Sequence, residues 1–84
     1  MSLTQLRYFV AVAEEGTVTR AAVRCAVSQP PMSRQLKALE DELSVKLFDR
    51  TPRGMTLSEA GQRLLAQARQ VLSLVDAMPG ATRG

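Results

Sequence analysis

Chemistry-bearing side chains crowd into one stretch of this 84-residue chain, SQPPMSRQLK from Ser28 to Lys37. Arg34 and Lys37 offer a guanidinium and an ammonium, Ser28 and Ser33 hydroxyls, and Gln29 a carboxamide. These groups form no nucleophile–base constellation. An arginine can instead grip a guanine edge with two parallel hydrogen bonds, and a glutamine can do the same for adenine. The spacing supports that chemistry. Met32, Leu36, Leu39 and Leu43 recur every three or four residues and form one apolar stripe. At about 100° per residue, Pro30, Ser33, Arg34 and Lys37 fall on a face roughly 140° away. An ordinary amphipathic surface helix shares this pattern, so charge placement has to separate the two readings.

No acidic residue lies between Glu15 and Glu40, whereas Arg20, Arg24, Arg34 and Lys37 all do. Acids collect at Glu14-Glu15 and at Glu40-Asp41-Glu42, which read as solvated helix ends. A second basic group follows at Lys46, Arg50 and Arg53, opposed only by Asp49. The net charge is only +3, but a basic stripe flanked by acids suits a phosphate track. Pro30 and Pro31 fit a helix's first turn, where a missing N–H is tolerated. They leave a cap at Ser28 or Gln29 little to satisfy, so both side chains are free to face a partner.

The elements that position this stretch follow from caps and periodicity. A first helix runs from about Leu3 to Glu15, with a capping box of Ser2 and Gln5 and a stop at Gly16. Its buried stripe is Leu6, Phe9, Val10 and Ala13. A second helix starts after Thr17 as N-cap and ends near Cys25. Its Ala21 and Ala22 permit close approach of the third helix, which follows the turn Ala26-Val27-Ser28 and ends near Leu43-Ser44. A short helix, a tight turn and a second helix with a polar outer face read as a helix-turn-helix. Val45–Arg50 and Gly54–Leu57 then read as two short strands joined at Thr51-Pro52-Arg53-Gly54. Such a hairpin is a wing. Arg53 at its tip suits a narrow A·T minor groove.

A last helix starts at Ser58 as N-cap and is expected to stop at Pro79-Gly80. Leu64, Ala68, Val71, Val75 and Met78 form a seam over two heptads, widened by Leu65 and Leu72. The seam is longer than so small a body can cover, which predicts pairing with a second copy. The fold class is therefore mainly α: a winged helix-turn-helix with a three-helix core and a two-stranded wing, then a long linker and dimerisation helix. The expected divisions are 1–58 for the DNA-binding domain, 59–78 for the dimerisation helix and 79–84 for a flexible tail.

Composition narrows the function classes. With no histidine, common acid–base dyads and zinc sets are absent. There is no phosphate-cradling glycine loop, so no enzyme, cofactor or metal site is expected. The single cysteine, Cys25, reads as a small buried residue in a protein of the reducing cytoplasm. No run reaches membrane-spanning length and no leader is visible. A winged-helix module that docks another protein is the alternative. The third helix lacks the large exposed apolar anchor such a module favours.

Three segments in order, LTQLRYFVAVAEEGTVTRAA, VSQPPMSRQLKALEDEL and LFDRTPRGMTLSEAG, followed by the long helix, resemble the N-terminal DNA-binding domain of LysR-type transcriptional regulators. The resemblance covers nearly the whole chain. It implies a dimeric DNA-binding regulator whose helix-turn-helix spans Val18 to Lys37. Recognition-helix contacts would come from Gln29, Pro30, Pro31, Ser33 and Arg34, and the wing contact from Arg53. The full expected set adds Thr17, Thr19, Arg20, Ser28, Lys37 and Arg50. The implied partner is duplex DNA with a partly palindromic site. A small-molecule effector would bind only through a C-terminal domain that would begin where this chain ends. The family commonly has leucine at Cys25, alanine at Pro31 and glycine at Ser44. A serine is strained in the left-handed conformation, so a different end to the third helix is expected there.

Overall fold

The computed structural model describes residues 1–84. Its elements are α1 (Leu3–Glu15), α2 (Val18–Cys25), α3 (Gln29–Leu43), β1 (Phe48–Thr51), β2 (Gly54–Leu57) and α4 (Glu59–Arg83). The caps explain the helix starts. Ser2 accepts the Gln5 N–H while the Gln5 side chain accepts the Ser2 N–H, a reciprocal capping box. Thr17 accepts the Arg20 N–H and Ser58 accepts the Gly61 N–H.

The first three helices end on left-handed residues. Gly16 closes α1, as expected. Ala26 closes α2, and Ser44 closes α3 at φ 57°. The Ser44 conformation corrects the expectation of a different helix end. The strain, on the order of 1–2 kcal/mol, is offset by a reciprocal closure. Ser44 N–H donates to the Asp41 carbonyl and Val45 N–H to the Glu40 carbonyl.

The core is aliphatic apart from Phe9 and Phe48, and sits where α1, α2 and α3 meet. Leu6, Phe9, Val10 and Val12 of α1 pack with Ala21, Ala22, Met32, Leu36 and Leu39. Ala13 is half-buried at its edge, and so is Cys25, which is less enclosed than its expected role as a buried residue. Leu47 and Phe48 bring the hairpin onto this core. The Phe48 ring lies 5.4 Å from that of Phe9, tilted by 51°.

The hairpin is antiparallel, with Phe48 opposite Leu57 and Thr51 opposite Gly54. Strand β1 begins at Phe48 rather than Val45, because Ser44 to Leu47 is a connecting loop tied to other elements. Two glycines allow close approaches. At Gly54 (φ +136°) a Cβ would meet the Gly16 carbonyl oxygen at 2.5 Å. The adjacent Met55 N–H donates to that same oxygen at 2.9 Å, which fastens the wing to the α1–α2 turn. A Cβ on the buried Gly61 would drive into the Leu47 carbonyl, so only glycine lets α4 cross there.

Helix α4 departs from its expected length. It continues through Pro79 to Arg83 instead of stopping at Pro79-Gly80, so residues 79–83 are helical rather than a loose tail. Pro79 cannot donate to the Val75 carbonyl. The stretch around it, residues 76–84, is exposed, and Ala77, Met78 and Ala81 favour helix. At 25 residues and 1.5 Å per residue, α4 is about 37 Å long. It accounts for most of the molecule's 48 Å longest dimension.

Candidate nucleic-acid interface

The outer face of α3 is built by subtraction. Met32, Leu36 and Leu39 are consumed in the core, which turns Ser28, Gln29, Pro30, Ser33, Arg34 and Lys37 to solvent, with Pro31 half-buried. Ser28 is the N-cap residue but makes no side-chain capping bond, as the two prolines of the first turn lead one to expect. Four of these side chains, Ser28, Gln29, Ser33 and Arg34, make no hydrogen bond or ion pair within the chain. Their donors and acceptors remain unspent. Lys37 is exposed but sits 3.2 Å from Asp41 across one helical turn.

Thr19 and Arg20 are exposed at the start of α2, and Arg20 approaches Glu15 only loosely at 3.8 Å. Thr17 is half-buried, and its hydroxyl oxygen is occupied by the cap. At the wing tip the Thr51 hydroxyl donates to the Gly54 carbonyl and accepts the Arg53 N–H. This clasp holds the turn and leaves the Arg53 side chain exposed and unpaired.

Between α3 and the wing runs an open groove of about 810 Å³. Its floor includes Val18, Leu36, Phe48 and Met55; Arg34, Lys37, Lys46 and Arg50 are among its walls. Lys46 has no ion-pair partner and belongs with this set, though it was not among the expected contacts. Its place in the second basic group was the available signal. The acids around the groove are mostly engaged: Glu40 accepts the Leu47 N–H, Asp41 holds Lys37, and Asp49 stands alone. Glu40 is therefore half-buried and not a solvated acid, while Asp41 and Glu42 are exposed, Glu42 pairing with the N terminus.

Arg24 leaves the basic stripe. Its guanidinium lies 2.8 Å from Glu14 and 3.3 Å from Glu15. Glu14 also receives Arg69 of α4 at 2.9 Å. An alternating ladder thus runs Arg69–Glu14–Arg24–Glu15–Arg20, from α4 across α1 to α2. Hydrogen bonds from Arg69 and then Arg24 hold the Glu14 carboxyl below the usual carboxylate range, against a smaller opposing effect of burial. Arg7 of α1 makes a further pair with Asp76 of α4 at 2.8 Å.

The expected dimerisation seam divides in two. Ala68 (1% exposed) and Leu72 (8%) are part of this chain's own core, so they are not free to face a second copy. Leu64 and Val75 are half-buried. Val71 and Met78 remain exposed, together with Leu74, which the heptad reading omitted. A period read from sequence cannot tell which apolar residues the same chain covers.

A three-helix core with a two-stranded wing beside the third helix defines a winged helix-turn-helix domain. Residues 3–62 match the family described as "Bacterial regulatory helix-turn-helix protein, lysR family", and the chain belongs to that family. This is a family of regulatory proteins rather than enzymes. The HTH-type transcriptional regulator TfdT of Cupriavidus pinatubonensis is 53% identical over 75 residues, covering 89% of this chain and 33% of TfdT. ClcR of Pseudomonas putida is 51% identical over 76 residues, covering 90% of this chain and 26% of ClcR. The chain thus spans a third or less of these two relatives. Among solved structures, the CbnR DBD–DNA complex superposes with a TM-score of 0.93 at 46% identity, over 99% of this chain and 95% of that one. The complex of the BenM DBD with benA site 1 DNA gives 0.94 at 42% identity, over 99% and 96%.

Proposed function

We propose that this chain is the DNA-reading part of a bacterial transcription regulator that works in the cytoplasm. It binds a partly palindromic duplex site as a homodimer. Helix α3 enters the major groove, where Gln29 and Arg34 read base edges and Pro30, Pro31 and Ser33 make close contact. Arg53 enters the neighbouring minor groove. Lys37, Lys46 and Arg50 line the path of the phosphate backbone between them, with Thr17, Thr19, Arg20 and Ser28 flanking it. Pairing runs through the exposed part of α4, at Val71, Leu74 and Met78. Control by a small-molecule effector belongs to a C-terminal domain of the longer regulator.

The observation that carries this reading is the set of unspent polar side chains on α3 beside an unpaired arginine at the wing tip. A protein-docking helix would need apolar anchors there, and α3 has turned Met32, Leu36 and Leu39 into the core and packs the half-buried Leu43 against it. No helix is long and apolar enough to cross a membrane. Selection of bound sequences from a random duplex library tests the reading. Enrichment of two inverted half-sites is the expected result. Recovery of unenriched sequence would refute base reading, and enrichment of one isolated half-site would refute pairing.

A further inference from the structure

We propose that Glu40 is a positioning residue for the wing: its carboxylate clasps the Leu47 peptide and sets where Arg53 stands relative to the recognition face of α3. The inference rests on the DNA-reading function proposed above and extends it to a residue outside the proposed contact set.

Four observations converge on the loop before β1. Leu47 is 1% exposed, and a buried backbone N–H needs an acceptor. Strand pairing begins only at Phe48, so no ladder partner is available to it. Glu40 Oε2 accepts this N–H at 2.7 Å, a short charge-assisted bond reaching back from α3. The other side of the loop is clamped as well. The Ser58 hydroxyl donates to the Lys46 carbonyl at 2.6 Å and the Ser58 N–H to the Leu47 carbonyl at 3.0 Å.

The loop is therefore held from α3 on one side and from the start of α4 on the other. The only other polar tie between the hairpin and the helical body is the Met55–Gly16 bond, made on β2. Without the carboxylate, the loop before β1 loses its only side-chain hydrogen bond to α3. Held then by the Ser58 bonds, the Met55–Gly16 bond and the seating of Leu47 and Phe48, the hairpin gains freedom relative to α3, and Arg53 moves with it. Gln29 and Arg34 stand on the N-terminal half of α3, which is held by its own core packing, so base reading keeps its geometry.

Amide exchange and residual dipolar couplings test this on the free protein, and binding to duplexes with A·T or G·C flanks tests it in function. In Glu40→Ala, Leu47 amide exchange should accelerate by about tenfold or more, as expected for a lost charged hydrogen bond. Couplings of residues 48–57 should cease to share one alignment with α3, while core amides stay protected. The preference for A·T flanks should fall to that of Arg53→Ala, with base preferences under α3 unchanged. Glu40→Gln retains an acceptor oxygen and should restore both readouts. If Glu40→Ala does not fold, Glu40→Asp tests the clasp, since it keeps the charge but is one methylene too short to reach the Leu47 N–H. The same loss of common alignment is expected.

Unchanged couplings and exchange in the folded variant would overturn the proposal. So would a parallel loss of base and flank preference, which would mean general disorder. If the parent prefers neither flank, the minor-groove reading fails, and the couplings still decide the positioning role by themselves.

Discussion

Helices α3 and α4 are both amphipathic, and they differ in what remains once the core is filled. The stripe of α3 is almost entirely consumed: Met32 and Leu39 are 0% exposed. Its leftover surface is polar, with Arg34 unpaired. The stripe of α4 is consumed only as far as Leu72, at Gly61, Ala68 and Leu72. Beyond that, Leu74 is 67% exposed and Met78 55%. The residual chemistry of one helix is charge and hydrogen bonding; that of the other is apolar surface. The difference teaches that one periodic signal can leave two kinds of surface, polar on one helix and apolar on another, depending on how much of the stripe the core takes up.

The contrast is sharpest in stability. Leu39→Ala should cost about 2–5 kcal/mol through lost burial and a cavity. Leu74→Ala should stay within about 0.5 kcal/mol in the monomer, as at an exposed site. Urea denaturation at low protein concentration separates them, and equal losses would erase the distinction. The apolar face of α4 should matter only in association. Burying each such side chain contributes about 1.5–3 kcal/mol, so Val71→Glu with Leu74→Glu should weaken dimers by well over tenfold. Sedimentation equilibrium checks this, and a double variant that still dimerises fully would place pairing elsewhere.

On α3, Arg34→Ala should cost about 1–3 kcal/mol on the best site and relax preference at one base position. Competition between matched duplexes differing at single positions measures it; an equal loss on every sequence would make Arg34 a phosphate contact only. The smallest effect is expected where α4 is seated on α1. Exposed pairs such as those of Glu14 contribute roughly 0.2–1 kcal/mol each. Because the folded carboxyl titrates below its unfolded value, this stabilisation is complete above the ordinary glutamate range. It fades as pH falls through the folded value. Thermal unfolding of Glu14→Gln should therefore differ from the parent near neutrality and converge with it in acid.

Much of the fold was legible because its signals are local. Ser2 with Gln5, Thr17, Ser58 and Gly16 mark helix ends by hydrogen bonds within a few residues. The Pro30-Pro31 start and the hairpin turn at 51–54 are equally local. The unspent side chains of α3 followed from periodicity. What escaped the reading depends on distant neighbours. Gly61 is ordinary in sequence and indispensable only because the Leu47 carbonyl lies against it. Arg24 joined the basic stripe until Glu14 and Glu15 came around to it. Ala68 and Leu72 carry the same heptad signal as Val71 and Met78, and only packing on the core separates them. Pro79 is a local stop signal that the exposed helix overrode.

The ladder Arg69–Glu14–Arg24–Glu15–Arg20 has a consequence for how binding is measured. The slope of log affinity against log salt is commonly read as a count of neutralised phosphates. In this protein the same ions also screen the pairs that seat α4 on the body, whose reach shrinks with a Debye length of about 8 Å at 0.15 M and about 3 Å at 1 M. With pairing through α4 as proposed, added salt on a paired site is expected to loosen both the grip on the backbone and the alignment of the two reading heads. The slope then overstates the phosphate count. On a single half-site only the first effect survives, so the difference between the two slopes reports the stiffness of the joint between α4 and the reading head.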